Sequence, residues 1–431
     1  MYIIGLDIGT SSVKGVLMDE NKKTVATVTR RQTYYFLNNL KLMDSDVFCE
    51  NCFAVLRELN SKAKGKVIAV CASGAAGNAM IVGERNSPIY GWQNNFDKET
   101  VDKYLGQYSS EDIMQIVGWP KQYGFPQGVF AYLLEKEPEA IKKADKICMS
   151  IEYLNYKLTG KWGITPSMGT PFFLINQETG KYHKDFLDIF GINEEQLPPI
   201  MKNYSVLGTL TDDAAAKTGL SKETKIVLGT FDHPAGAIGA GVYDEGDMLL
   251  SCGTSWVALF PFSGREKPIE RKMLTDPFMS PYGNWCGMSS ITSISQKVSD
   301  CKQYYLGETT YEEYDAMLSR SNCEYGKIKI DLDNFKELDG NYNKDDIARS
   351  IALTAANELN IMLAKCKIDA KKIKIIGGIS ESPQWLKIIS EVTGIDASVV
   401  NGETAGAVGS AAMAAVGAGI FKSVKELFTK G

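Results

Sequence analysis

A short pattern that occurs twice constrains the fold of this chain more than any other feature of its sequence. The stretches LDIGTSSV, around Gly9, and LSCGTSWV, around Gly253, share the pattern L-x-x-GTS-x-V. In each copy a Gly-Thr-Ser turn joins two apolar runs, which predicts a β-hairpin. The chain of 431 residues is also too long for one ordinary domain. We therefore expect a duplicated protein with two domains, at residues 1–240 and 241–431.

The segments that follow the first hairpin predict an α/β layer. A third strand (TVATVTRR), a helix with Asp44 or Ser45 as its N-cap, and a buried strand (KVIAVCASGAAG) are expected next in the chain. The helix is indicated by apolar residues at helical spacing. Residues 98–222 are mostly helical, and the buried strand KIVLGTF then leads into the loop GTFDHPAGAIGAG. Three strands, a helix and a further strand are the start of a ribonuclease-H-like domain, so the expected fold class is α/β.

The second half contains a matching strand and two predicted helices. A strand over KIKIIGGIS runs into a glycine turn, and Ser382 is expected to cap a helix whose first turn contains Pro383. Residues 345–366 show the spacing of an amphipathic helix, whereas residues 320–345 are polar and irregular. The apolar stretch TAGAVGSAAMAAVGAGIF is rich in Gly and Ala, so a packed internal helix is favoured over a membrane span.

The charge distribution argues against some classes of partner. The net charge is −5, and Lys and Arg are spread along the chain, which disfavours nucleic acid as the main partner. The first residues lack the pattern of a signal peptide, and no apolar run is long enough to span a membrane. Nine scattered cysteines indicate reduced thiols, and we expect a cytoplasmic protein. Cys49 and Cys52 could form half of a redox or metal site, but no second pair completes it.

A Gly-Thr-Ser hairpin turn is suited to phosphate binding. Glycine permits close approach of the backbone, and successive amides with hydroxyl groups beside them can hold an anion. One such turn alone is more often an ordinary hairpin, but two copies in matched contexts favour a pair of phosphate clamps. The candidate residues are Gly9, Thr10 and Ser11 in the first turn and Gly253, Thr254 and Ser255 in the second.

Two further features complete the pattern of a nucleotide site. Asp7 precedes the first turn, at the end of an apolar strand, where its carboxylate could hold Mg²⁺ directly or through water. The alternative is a carboxylate that accepts hydrogen bonds from turn amides. Gly377 and Gly378 follow a predicted strand, so their backbone could pack flat against a nucleobase. Together with the two clamps, these features predict an ATP site.

Asp232 lies in the loop after the strand KIVLGTF, and His233 follows it directly. An Asp at this place could accept the proton of a substrate hydroxyl that attacks a γ-phosphate. A Ser-His-Asp site is disfavoured, because adjacent side chains on an extended backbone point apart and no nucleophile elbow is present. A metal site would need further His or Cys ligands. A simple polar turn remains the alternative.

In combination these motifs resemble those of the FGGY carbohydrate kinases, which belong to the actin/hexokinase/Hsp70 superfamily. The matching motifs are D-x-G-T-S at Asp7, G-x-x-D-x-x-A-G-x-x-G-x-G around Asp232, the second GTS, and G-G-x-x-x-S-x-x-W from Gly377 to Trp385. The resemblance implies two ribonuclease-H-like domains of the actin-like ATPase fold with an interdomain cleft. It also implies that the chain binds ATP, Mg²⁺ and a sugar or polyol, for example a ketose such as a pentulose.

The resemblance also implies roles for individual residues. Asp232 would be the general base, and Asp7 would bind magnesium. The two Gly-Thr-Ser turns would hold the phosphates, and Gly377 and Gly378 would line the adenosine pocket. Further contacts are expected with the nucleotide from Lys14 and Ser382, and with the substrate from Gly74, Trp92, Gln93, Asn94 and His233.

The sugar-binding motifs depart from the family pattern. The W-x-D-x-R stretch of many members reads Trp92-Gln-Asn94-Asn-Phe96 here, and the Gln-Met-His of pentulose kinases is replaced by Ala75-Ala-Gly77. The phosphate motifs therefore match while the sugar motifs do not. Two alternatives stay open, a chaperone-like or activator ATPase module and a catalytically weakened sugar sensor. A homodimer is a possible assembly.

Overall fold

The computed structural model describes residues 1–400, 402 and 404–428, which form two compact units. The first unit comprises Met1–Gly241, Leu274–Trp285 and Thr404–Gly431, and the second comprises Val242–Met273 and Cys286–Glu403. The division expected after residue 240 lies one residue from the first of these boundaries. The units are discontinuous in sequence, however, and the C-terminal segment lies in the first unit rather than in the second.

Strands and helices alternate in the first 241 residues. The strands are β1 (Tyr2–Ile8), β2 (Ser12–Asp19), β3 (Thr24–Arg31), β4 (Tyr35–Leu37), β5 (Leu40–Met43), β6 (Val67–Gly74), β7 (Met80–Val82), β8 (Ile89–Tyr90), β9 (Lys146–Cys148), β10 (Ile175–Asn176), β11 (Lys181–Tyr182), β12 (Val206–Thr209) and β13 (Lys225–Phe231). The helices are α1 (Ser45–Lys62), α2 (Lys98–Leu105), α3 (Ser110–Val117), α4 (Phe125–Lys136), α5 (Pro138–Lys142), α6 (Ser150–Thr159), α7 (Pro166–Gly169), α8 (Lys184–Phe190), α9 (Asp212–Thr218) and α10 (Asp232–Gly239). Helices α2 to α9 fall within residues 98–222, the region predicted to be mostly helical.

The remaining residues repeat this alternation. The strands are β14 (Asp247–Cys252), β15 (Trp256–Phe262), β16 (Leu274–Asp276), β17 (Trp285–Ile291), β18 (Lys372–Gly377) and β19 (Asp396–Val399). The helices are α11 (Glu266–Glu270), α12 (Ile294–Leu306), α13 (Tyr311–Arg320), α14 (Lys344–Lys365), α15 (Pro383–Thr393) and α16 (Ala405–Ala418). Helix α14 confirms the helix predicted over residues 345–366, and the irregular polar segment before it is also confirmed.

The sheet of the first unit has the strand order β12-β13-β6-β1-β2-β3. Strand β1 pairs with β2 in the antiparallel sense and with β6 in the parallel sense, and β6 is also parallel to β13. Helix α1 begins after Asp44, whose carboxylate accepts hydrogen bonds from two amides of the first turn and so caps the helix as predicted. A hairpin followed by two parallel strands with a helix between them is the arrangement expected of a ribonuclease-H-like domain.

The second unit contains the same arrangement. Strand β14 is antiparallel to β15 and parallel to β18, and β18 is parallel to β19. The order β17-β15-β14-β18-β19 therefore corresponds to β3-β2-β1-β6-β13 of the first unit. The two Gly-Thr-Ser turns occupy equivalent positions, because each joins the central strand of its sheet to the next strand. The duplication and the α/β fold class predicted from the repeat are confirmed.

Helix α16 packs against β1 and α10 at very short backbone distances. A Cβ atom on Gly5 of β1 would lie 1.9 Å from the carbonyl oxygen of Ala407, and one on Gly409 would lie 1.9 Å from that of Ala235. The Gly and Ala residues of this stretch therefore allow backbone to contact backbone, and most of the helix is buried. The predicted packed internal helix is confirmed. No helix in the described part of the chain is both long and apolar enough to cross a bilayer.

The composition of the stretch GTFDHPAGAIGAG predicted a loop, and this prediction is wrong. Helix α10 begins within the stretch at Asp232 and continues to Gly239. Pro234 lies in the first turn, where the missing amide hydrogen removes no helical hydrogen bond. The small residues that suggested a turn face α16 instead, since a Cβ on Gly239 would lie 1.9 Å from the carbonyl oxygen of Ala405. The small residues of α10 are therefore explained by its packing against α16, although such residues locally favour a turn.

Candidate active site

Asp7 and Asp232 lie at the same edge of the first unit's sheet. Strands β1, β6 and β13 are parallel, and both Ile8 and Phe231 are in register with Gly74 at the end of β6. Asp7 precedes Ile8, and Asp232 directly follows Phe231. A Cβ on Gly74 would lie 2.4 Å from the carbonyl oxygen of Ile8, so the close approach of β1 requires glycine there. The carboxyl ends of these strands thus bring together the predicted metal ligand and the predicted base.

The carboxyl group of Asp7 is held in a poorly solvated environment. Burial raises its pKa to about 7, the negative charge of Asp232 contributes in the same direction, and the opposing effect comes from Lys14, its partner across the hairpin. A Cβ on Gly406 of α16 would lie 2.5 Å from Asp7 Oδ2. Asp7 Oδ1 is buried and has no hydrogen-bond partner among the described residues. A buried carboxylate oxygen without a partner, close to a second carboxylate, suits a hard cation.

Asp232 is half-buried at the start of α10. Its Oδ1 accepts a hydrogen bond of 2.9 Å from the backbone amide of His233, so the contact between the two residues runs through the backbone. The imidazole of His233 lies edge-on to the ring of Phe231, at 6.3 Å between ring centres. The helix N-terminus stabilises negative charge on Asp232. This arrangement agrees with an isolated carboxylate base and gives no support to an Asp–His pair.

The first Gly-Thr-Ser turn uses some of its polar groups internally. The Gly9 amide donates to Ser12 O at 2.9 Å and closes the turn. Thr10 Oγ1 accepts a hydrogen bond of 3.0 Å from Trp92 Nε1, which connects the predicted phosphate clamp to the predicted substrate stretch. Since the Gly9 amide is occupied, the amides and hydroxyls of Thr10 and Ser11 are the candidate anion donors of this turn.

Two serines that sequence reasoning did not select hold the second turn. The Ser293 amide donates to Ser255 Oγ at 2.9 Å, and Ser295 Oγ donates to Gly253 O at 2.7 Å. The Ser295 amide also donates to Thr254 O at 3.2 Å. Both serines lie at the start of α12. The only signal for them was the serine-rich stretch SSITSIS, which by itself indicates no partner.

A cavity of about 630 Å³ adjoins this second turn within the second unit. Its volume is typical of sites for small organic molecules. Gly377, at the end of β18, has a φ of 94°, and a Cβ there would lie 2.5 Å from Cys252 O, so this position requires glycine. Residues lining the cavity include Gly253, Thr254, Trp256, Tyr311, Gly378, Ile379, Glu381 and Trp385. The predicted turn and Gly378 of the predicted glycine pair therefore line one cavity.

Ser382 acts as a helix cap. Its hydroxyl accepts a hydrogen bond of 3.1 Å from the Trp385 amide and donates one to Asp315, and the side chain is buried. The predicted capping of the helix that begins at Pro383 is confirmed. Because both bonds tie the hydroxyl to protein groups, the geometry supports a structural role for Ser382 rather than nucleotide contact.

The predicted substrate stretch separates into exposed and buried residues. Trp92 is 40% exposed, and Gln93 Oε1 accepts a hydrogen bond of 2.7 Å from Lys41 Nζ. Asn94, in contrast, is buried, and its amide accepts from Lys41 N at 2.7 Å and donates to Lys41 O at 3.0 Å. Phe96 is buried against Tyr132, with 5.2 Å between ring centres. Asn94 therefore fixes the fold of this stretch and is not positioned as a sugar ligand.

Aromatic rings fill space beside these residues. Gly77 replaces the bulkier residue of the family pattern, and a Cβ there would lie 2.2 Å from the ring of Phe125. Phe125 contacts Trp92 and Trp119, at 6.2 and 5.7 Å between ring centres, and Trp119 contacts Phe231, which precedes Asp232. Sequence reasoning missed Phe125 and Trp119, because their contacts join segments far apart in the chain.

Comparison with known proteins agrees with this architecture. The family model for the N-terminal domain of FGGY carbohydrate kinases matches residues 2–239, and the model for the C-terminal domain matches residues 346–418. Xylulose kinase of Bacillus subtilis (strain 168) is 23% identical over 463 residues, covering 99% of this chain and 90% of that protein. L-xylulose/3-keto-L-gulonate kinase of Escherichia coli (strain K12) is 25% identical over 456 residues, covering 99% and 90%.

Solved structures show the same fold. Ligand-bound xylulose kinase from Lactobacillus acidophilus superposes with a TM-score of 0.88 at 20% identity, covering 99% of this chain and 91% of that one. Plasmodium falciparum glycerol kinase with ADP gives a TM-score of 0.85 at 17% identity, with coverage of 99% and 91%. The fold class and the resemblance proposed from the sequence are confirmed. The chain belongs to the FGGY family of carbohydrate kinases.

Proposed function

We propose that this carbohydrate kinase transfers the γ-phosphoryl group of ATP to a hydroxyl of a ketopentose. Phosphorylation of a sugar follows from the family, which uses ATP as co-substrate. The choice of a ketopentose is supported by the relatives named xylulose kinase, which match nearly the full length of the chain. The observation that carries the mechanism is the pair of carboxylates, Asp7 and Asp232, at one edge of the sheet beside a Gly-Thr-Ser turn.

Asp232 is the proposed general base. The acceptor hydroxyl oxygen forms a bond to the γ-phosphorus, and the bond from that phosphorus to the β–γ bridging oxygen breaks. The bridging oxygen leaves with the electron pair as part of ADP, and the hydroxyl proton passes to the Asp232 carboxylate. Its half-buried position at the start of α10 leaves the carboxylate reachable by a small acceptor.

Asp7 is the proposed magnesium ligand. Its unpartnered Oδ1 and the second carboxylate of Asp232 favour a cation at this place. A bound Mg²⁺ would neutralise the charge of the phosphate oxygens during transfer. Asp7 must be ionised to bind a cation, and its pKa of about 7 makes ionisation dependent on pH in the physiological range.

Each hairpin turn is proposed as a phosphate-binding turn of its own unit. Thr10 and Ser11, with Lys14 on the adjoining strand, would contact phosphate oxygens from the first unit. Thr254 and Ser255 would do so from the second unit, where the cavity beside Gly377 and Gly378 has the size of a nucleoside site. The aromatic rings of Tyr311, Trp256 and Trp385 that line it offer apolar surface to a base.

The test is an Asp232→Asn variant assayed with ATP, Mg²⁺ and xylulose. Because proton transfer by a positioned base contributes about 10²–10⁴-fold, we expect kcat to fall by that factor while ATP binding is retained. Asp213→Asn is the matched control, since Asp213 is an exposed residue of α9 paired with Lys217. Sugar phosphorylation by Asp232→Asn at near the unmodified rate would reject the assignment of the base.

A panel of ketoses, aldoses, polyols and aldonates tests the substrate class. ATP turnover that depends on a ketopentose supports the proposal. Turnover that is equal with every acceptor and without one would instead indicate an ATPase.

A further inference from the structure

Gln32 has an orphaned donor next to the first Gly-Thr-Ser turn. It follows β3, its side chain is 8% exposed, and its backbone amide donates to Ser11 O at 2.9 Å. Asn51 of α1 donates a hydrogen bond of 3.1 Å to Gln32 Oε1. That bond fixes the orientation of the amide group, so Gln32 Nε2 points away from Asn51. Within the described chain Nε2 is buried and has no hydrogen-bond partner.

The same side chain lines a small cavity in the first unit. The cavity has a volume of about 30 Å³, which is room for one water-sized group. Its other walls include Gly9, Thr10, Ala75, Trp92 and Gln93. It therefore adjoins the proposed phosphate clamp, the end of β6 and the exposed tryptophan of the substrate stretch. A buried amide without a partner is costly, so a group that accepts its hydrogen bond would bind here favourably.

We propose that Gln32 is a specificity-determining residue whose side-chain amide donates a hydrogen bond to one hydroxyl of the acceptor sugar. The proposal rests on the proposed function and adds a subsite for a single hydroxyl, distinct from the one that is phosphorylated.

The lining of the cavity also indicates the charge of the group that fits. None of its described residues carries a formal charge. The nearby ammonium of Lys41 is bonded to Gln93 Oε1 and lies 4.2 Å from the ring centre of Tyr34. A hydroxyl needs only the neutral donor of Gln32, whereas a carboxylate would be desolvated without a cation. The acceptor therefore presents a neutral hydroxyl at this end, as a ketose or polyol does and an aldonate carboxylate does not.

A permanently bound water molecule would also satisfy Gln32 Nε2, and ligand analogues distinguish the two cases. The probes are xylulose and analogues that lack the hydroxyl at C1, C3 or C4, measured by KM or as competitive inhibitors. With the unmodified enzyme, we expect one of the three analogues to bind about tenfold more weakly than xylulose. With Gln32→Leu, xylulose and that analogue should bind equally weakly, while kcat changes less than about twofold because the contact is remote from the reacting atoms.

Gln32→Glu serves as a second variant whose side chain has the same shape as glutamine. It keeps an oxygen that can accept from Asn51 and replaces the NH₂ donor with a second oxygen, so the same selective loss is expected. Gln115→Leu makes the same replacement of glutamine by leucine at an exposed position of α3 and is the control. Melting temperatures of all three variants show whether each one is folded.

The outcomes separate this proposal from the one on which it rests. If Gln32→Leu and Gln32→Glu keep the unmodified affinities for xylulose and every analogue, the cavity holds only water and the proposal is wrong. An equal loss for all ligands would overturn it as well, because a specific contact affects one hydroxyl. A protein that phosphorylates none of the acceptors rejects the proposed function and this inference together, whereas an active enzyme insensitive to Gln32 rejects only the inference.

Discussion

Asp7 lies near the end of β1 and Asp232 directly follows β13, and the two carboxyl groups interact across β6, the strand between these two. Burial raises the pKa of Asp7 to about 7, and the charge of Asp232 adds to the shift. Strand β6 separates the two acidic residues and ends in Gly74, which has no side chain to come between them. The site thus concentrates negative charge where a phosphoryl-transfer enzyme of this kind needs a cation and a base.

The first prediction concerns stability as a function of pH. The unfolded chain releases the Asp7 proton near pH 3.8, whereas the folded chain keeps it up to about pH 7. The part of the folding stability that depends on the protonated Asp7 is therefore lost as pH rises between these values. This loss is complete above pH 7. We expect Asp7→Asn to melt about 2–4 °C above the unmodified protein at pH 8, and the difference to shrink toward pH 4.

Magnesium provides the matched measurement for this variant. Because a cation needs the ionised carboxylate, Mg²⁺ at pH 8 should raise the melting temperature of the unmodified protein and leave that of Asp7→Asn unchanged. Asp212→Asn, at an exposed position of α9, is the control. Equal stabilisation of both proteins by Mg²⁺ would contradict the assignment of Asp7.

The second prediction compares two adjacent glycines. A Cβ on Gly377 would lie 2.5 Å from Cys252 O, and its φ of 94° is strained for any other residue, whereas a Cβ on Gly378 has its nearest neighbour at 3.9 Å. We expect Gly377→Ala to cost about 1–3 kcal/mol of stability and to raise the KM for ATP about tenfold. Gly378→Ala is the control for stability and should lose less than about 0.5 kcal/mol. An unchanged KM for ATP in Gly377→Ala would show that the backbone of Gly377 does not shape the nucleotide site.

The third prediction asks whether the family residue can be restored in the substrate stretch. In Asn94→Asp, a carboxylate oxygen would face Lys41 O, to which the amide of Asn94 now donates. We expect a loss of about 1–3 kcal/mol in the free energy of unfolding and no gain in kcat/KM for any sugar. Asn95→Asp makes the same change at an exposed neighbouring position. Chemical denaturation of both variants is the measurement, and improved sugar phosphorylation by Asn94→Asp would contradict our interpretation.

The sequence predicted the features that depend on repeated or regular local patterns. The two hairpins, the helix capped by Asp44 and the α14 helix each follow from the spacing of apolar residues or from a capping side chain. The residues around Asp7 could be selected because an acid at a strand end beside a glycine turn is unusual. These signals are contained within a few consecutive residues, so they can be recognised in the sequence without knowledge of the fold.

Features that depend on distant segments could not be predicted in the same way. Asn94 looks like a substituted sugar ligand in sequence, but the backbone of Lys41 already satisfies its amide. The start of α10 at Asp232 was missed because small residues locally favour a turn. The reason for them, close packing against α16, depends on a segment far along the chain. Gln32 carries no motif at all, and its unpartnered amide becomes visible only when β3, α1 and the first turn are assembled.

The position of Gly406 has a consequence for biosynthesis. This residue of α16 backs the carboxyl group of Asp7, so β1 is covered by a helix that follows the second unit in the chain. A nascent chain that has emerged only as far as α10 contains both acidic residues but leaves the apolar face beneath them exposed to water. The first unit can therefore be completed only after the whole of the second unit has been synthesised.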